Sequence, residues 1–140
     1  MKVKKIENVY VVRLCENEKI VESIYEVCRS EKIRLATINA IGAVKSADVG
    51  LYSMENKAYK SNKFNVPLEL VSLIGNVTQK DNGEAHVHVH ASFADENGSI
   101  FGGHLEDAVV SVTCEIFITE LNGEIKRKVD GKTGLTVFDI

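Results

Sequence analysis

Between Leu68 and Val129 the chain repeatedly sets stretches rich in β-forming residues against turn-forming ones, and this punctuation constrains the fold more than any other feature. The stretches are Leu68–Thr78, Ala85–Phe93, Ala108–Thr119 and Glu124–Val129. They are divided by Asp81-Asn82-Gly83, Glu96-Asn97-Gly98 and Asn122-Gly123, the last of the type that closes two-residue hairpins. Short connections of this kind join antiparallel neighbours, so a mostly antiparallel sheet is expected. Ala47–Tyr52 and Ala58–Phe64 add two further strand signals upstream.

The N-terminal part differs. Val3, Ile6, Val9, Val11 and Val12 are β-branched and predict a strand over Lys2–Leu14 with a break near Glu7-Asn8. Asn17 is a candidate N-cap for a helix reaching about Glu31, in which Ile20, Val21, Ile24, Val27 and Cys28 recur at the spacing of one buried face. Arg34–Val44 is again apolar. The expected fold class is therefore α+β: a strand-helix-strand opening unit, then the antiparallel sheet, with one main helix packed on it.

A length of 140 residues with 44% hydrophobic and 26% charged side chains fits a single domain spanning 1–140. Pro67 is the only proline and no stretch reads as a linker. The N-terminus has no signal-peptide core and no segment approaches the ~20 apolar residues of a membrane span, so a cytoplasmic location is expected. Cys15, Cys28 and Cys114 show no metal-binding or disulfide spacing and read as reduced thiols.

A net charge of -3 argues against general attraction to nucleic-acid phosphates. Two basic runs, Lys2/Lys4/Lys5 and Lys126/Arg127/Lys128, read as solubilising edge residues. In the alternating segment at Val110–Ile118, Val110, Val112, Cys114, Ile116 and Ile118 share one face. The other carries Ser111, Thr113, Glu115 and Phe117, a mixture that suits a subunit interface or a pocket wall.

All four histidines fall in His86-Val-His88-Val-His90 and in Gly102-Gly103-His104. On a strand His86, His88 and His90 point to one side, with Cα atoms ~7 Å apart, so two rings can converge on one ion. A third ligand must come from elsewhere, and the glycines before His104 offer a side-chain-free approach for it. Neutral imidazoles without cysteine make an open site rather than a closed structural one.

The run His88-Val-His90-Ala-Ser-Phe, followed by Asn97-Gly98, Gly102-Gly103-His104-Leu105 and Val112-Thr-Cys-Glu115, closely resembles the plants and prokaryotes conserved domain, PPC or PCC. Arg13-Leu14, Ala40-Ile41-Gly42-Ala43-Val44, Gly50-Leu51-Tyr52 with Tyr59, and Leu73-Ile74-Gly75-Asn76 extend the resemblance over almost the whole chain. The resemblance implies a homotrimer, a divalent metal (zinc in at least some prokaryotic members) on His88, His90 and His104, and a DNA-binding label that comes mainly from plant relatives. In those relatives a separate Arg-Gly-Arg hook enters the minor groove, and this chain contains none. The additional His86 is either an alternative ligand or a supporting group.

Two functions follow as expectations. One is a metal-binding oligomeric module, DNA-associated through partners or a basic face of the trimer. The other is a metal-dependent enzyme in which the ion activates water or polarises a small substrate, with Glu106 or Glu115 as base. No nucleophile signature and no phosphate loop is present, so nucleotide cofactors are not implied.

Overall fold

In the computed structural model, which describes residues 1–140, Glu7 takes a left-handed conformation (φ 53°). The N-terminal run therefore turns back on itself as β1 (Lys2–Ile6) and β2 (Val9–Cys15), an antiparallel pair with Ile6 opposite Val9. Asn17 is also left-handed (φ 71°) and so cannot cap a helix. The helix α1 (Ile20–Ser30) begins later, at an N-cap Lys19 that makes no side-chain capping bond. Asp107, reaching in from a strand, accepts the Val21 N–H at 3.0 Å and supplies what the local sequence lacks. Ile20, Ile24, Val27 and Cys28 form the buried face that the spacing predicts.

The stretches Arg34–Val44 and Ala47–Tyr52, read separately in the sequence, are one element, β3 (Ala36–Ser53). Its first part lies between β5 (Leu68–Gln79) and β7 (Ile100–Glu120), and its second part pairs with β4 (Ala58–Phe64) and again with β7. β6 (Ala85–Ala94) joins β5 to β7, so the pairings β3–β5–β6–β7–β3 close into a ring, and β2 then β1 extend it beyond β7. A closed ring buries its own edges. Both long strands bend where the register slips: Ser111, Val112 and Thr113 face only Ala43 between the pairs Gly42–Cys114 and Val44–Val110. The bulge turns Val112 outward, 71% exposed, whereas strict alternation predicts it inside. Gly42 permits this crossing, since a Cβ there would lie 2.5 Å from the Thr113 carbonyl oxygen.

The interior is one cluster of 28 buried residues, with Tyr10, Leu14, Leu73, Phe93, Ile116 and Ile118 among the largest. Burying an aliphatic or aromatic side chain of this size stabilises the fold by about 1.5–3 kcal/mol. Cys28 and Cys114 belong to this core, and burial pushes both thiols up to about 12; Cys15 is exposed.

The α+β expectation is corrected. With 63% strand and 8% helix the fold is mainly β, and its one short helix lies against β7 and β6. Strands that seemed to stop at bends run through them, which raises the strand share. The Asn122-Gly123 turn does not close a hairpin onto β7 either: β8 (Arg127–Val129) pairs with β9 (Thr136–Phe138) in a separate two-stranded sheet. No helix is long and apolar enough to cross a membrane.

Candidate metal centre

Strand alternation places His86, His88 and His90 on one side of β6, while Val87, Val89 and Ala91 are buried on the other. The third member of the cluster is not on a loop. His104 sits within β7 directly opposite His90, and on its other flank β7 pairs Gly50 of β3 with the same His104. Gly102 and Gly103 serve close packing rather than flexibility. A Cβ on Gly102 would lie 2.1 Å from the Ala91 carbonyl oxygen, and one on Gly103 would lie 2.6 Å from that of Gly50.

This register gathers three imidazoles. Ring centroids are 5.1 Å apart for His88 and His90, 5.2 Å for His88 and His104, and 5.6 Å for His90 and His104. One ligating nitrogen from each lies within 4.8 Å of the other two. Two Zn–N bonds of ~2.0–2.1 Å span at most ~4.2 Å, so small side-chain rotations bring these nitrogens onto one ion. His104 is fixed by stacking on Tyr59, with centroids 4.5 Å apart. Its Nδ1 is buried without a hydrogen-bond partner, while its Nε2 lies 3.8 Å from Glu106 Oε1. An orphaned buried acceptor beside two more imidazoles is the donor set a divalent cation satisfies. His86 remains outside the triad, opposite Thr78 at the far end of the ladder.

The environment favours the neutral form of His86, His88 and His104. Burial is the main cause that lowers His88 to about 4, helped by His104 and His90. His86 is lowered to about 4 by burial and then by the Arg127 charge. Burial also lowers His104, against an opposing pull from Glu106. Metal ligation needs the neutral form, which burial favours at His88 and His104.

His88 and His104 look into a cavity of ≈ 750 Å³ whose other walls include His86, Tyr59, Arg127 and Phe138. Its far side is the β8–β9 hairpin. Tyr52 Oη donates to the Thr133 carbonyl at 2.6 Å and helps hold this hairpin in place. Of the two carboxylates considered as bases, Glu106 is near His104, whereas Glu115 pairs with Arg13 and Ile41 at the other end of β7. Arg127 is the wall residue that the sequence reading missed, having been counted with Lys126 and Lys128 as a surface run. Period-two alternation in a strand turns the middle residue of such a triplet to the opposite face, and that was the available signal.

With this fold and site in view, the comparisons define a class. The profile of the Plants and Prokaryotes Conserved (PCC) domain matches residues 1–122. The chain belongs to the PCC domain family. It is similar to a plant- and prokaryote-conserved protein from Pyrococcus horikoshii at 39% identity, covering 99% of this chain and 94% of that one, TM-score 0.88. It is similar to a metal-containing protein from Archaeoglobus fulgidus at 38% identity, covering 98% and 94%, TM-score 0.86. A candidate DNA-binding protein from Bacteroides thetaiotaomicron matches at 27% identity, covering 99% and 96%, TM-score 0.95. No curated protein matches the chain.

Proposed function

We propose that this chain is a metal-binding PCC-domain protein that holds one divalent ion, zinc, on His88, His90 and His104, and that it works as a homotrimer. The observation that carries the reading is the convergence of three imidazoles from two paired strands, one of them with a buried nitrogen that nothing else in the chain satisfies. The metal-containing relative from Archaeoglobus fulgidus supports it. Imidazole also suits nickel, copper and iron, and zinc is chosen because three neutral nitrogens with an open fourth position match its tetrahedral preference.

The trimer draws support from a row on the outer face that carries two exposed apolar side chains. Phe117 is opposite Asn39, Asn39 is opposite Ile74, and Ile74 is opposite His90. Phe117 and Ile74 are 44% and 63% exposed. The exposed side of the triad therefore continues a row with exposed Ile74 and Phe117 that a second subunit would cover. Association with DNA belongs to the same reading as a secondary property. With a net charge of -3 and no groove-reading element, binding should be weak, salt-dependent and indifferent to sequence.

A second reading, a metal-dependent enzyme, is favoured by one observation: His88 and His104 of the triad line a cavity of ≈ 750 Å³, with Glu106 3.8 Å from the His104 ring. There the ion would lower the pKa of a bound water, and Glu106 would orient His104. Cobalt(II) titration of metal-free protein tests the shared premise. Visible absorption saturating at one equivalent per chain is expected, and no absorption above that of free cobalt would reject the ion site.

A further inference from the structure

Arg127 is 6% exposed, and every group it touches is neutral. Its Nε donates to Thr78 Oγ1 at 2.7 Å, one terminal nitrogen to the Thr136 carbonyl at 2.8 Å, and the other to Asn76 Oδ1 at 2.9 Å. The Phe138 ring lies 4.8 Å from its carbon. None of the chain's ion pairs includes it. A buried cation without a counter-charge is costly, and a ring face offsets only part of that cost. Each terminal nitrogen has a second N–H beyond the bond already made, so the guanidinium retains donors for an anion's oxygens.

This guanidinium shares its cavity with His88 and His104, and β8 and β9, which carry Arg127 and Phe138, lie beyond the residues the family profile matches. The volume of ≈ 750 Å³ falls in the range of small-molecule sites. Tyr59, Val137 and Phe138 give the space apolar walls. Lys57 also lines the cavity, but Arg127 is its buried cation, and a buried guanidinium beside apolar surface suits a ligand with a planar anionic group and a carbon body.

We propose that this cavity binds a small organic carboxylate, its carboxylate group on Arg127 and its remaining polar atoms turned toward the histidine triad. The second anchor rests on the metal-site reading, whereas the first stands on Arg127 alone. The β8–β9 hairpin is thus the ligand-selecting part of the chain, built onto the histidine-bearing barrel.

Calorimetric titration of the full chain, zinc-loaded and metal-free, with lactate, pyruvate and benzoate and with their neutral amides, tests this. At least one carboxylate should bind, its amide should bind at least about tenfold more weakly, and Arg127→Gln should weaken the carboxylate by a similar factor. Arg127→Lys, which retains charge but not the fork, should fall between. Should Arg127→Gln fail to fold, the amide comparison and Arg127→Lys decide. No binding of any carboxylate, binding unaltered at residue 127, or tighter binding of inorganic phosphate at Arg127 would overturn the assignment. Stoichiometric zinc with no carboxylate binding refutes this inference alone. Arg127-dependent carboxylate binding without zinc uptake refutes the metal reading alone.

Discussion

His90 and His104 are direct cross-strand partners in the β6–β7 ladder, with ring centroids 5.6 Å apart. The three-histidine cluster is therefore a consequence of strand register. A slip of one residue would turn His104 to the opposite face and separate the three rings.

That dependence predicts the effect of filling the glycine beside it. Gly102→Ala places a Cβ 2.1 Å from the Ala91 carbonyl oxygen, which the ladder cannot accommodate without opening. Loss of about 1–3 kcal/mol of stability, with weaker metal binding, is the expected outcome in denaturant melts and metal titration. A variant as stable as the parent would show that β6 and β7 do not approach this closely.

The metal-free protein should weaken as it is acidified. Burial, with the neighbouring charges of Arg127 for one ring and of His104 and His90 for the other, brings His86 and His88 to about 4, against an ordinary value of 6.5 in the unfolded chain. Between those values the unfolded state binds more protons, so stability is present above the unfolded value and is lost as pH falls from about 6.5 toward about 4. Melting temperature should decline across that window, and His86→Gln should flatten the decline. A profile level from pH 7 to 4 would contradict the burial of these rings.

Much of this arrangement was legible in the sequence, for reasons that can be named. β4, β5 and β6 are bounded by turns, so their limits lie close to those read from the chain. The shared face of His86, His88 and His90 was visible because period-two spacing is a property of any strand, whereas it was the family resemblance that joined His104 to them. What stayed hidden depended on partners distant in sequence. The continuity of β3 and β7 through their bulges, the outward turn of Val112 and the mainly-β balance all follow from how those two strands cross at Gly42. The helix start depends on Asp107, far along the chain. The role of Gly102 and Gly103 appeared only once Ala91 and Gly50 were seen against them.

Self-association is predicted to use the row containing Ile74 and Phe117. Light scattering at micromolar concentration should give the mass of three chains, and Ile74→Asp should shift it toward one by placing a charge in a desolvated contact. A monomer mass for the parent protein would refute the trimer and leave the exposed side of His90 open to solvent.

Metal content per chain, measured by elemental analysis of protein purified without a polyhistidine tag, tests the central claim most directly. One equivalent in the parent chain, none in His88→Ala, His90→Ala or His104→Ala, and a retained equivalent in His86→Ala is the predicted pattern. An unchanged metal content in His104→Ala would contradict the three-histidine centre.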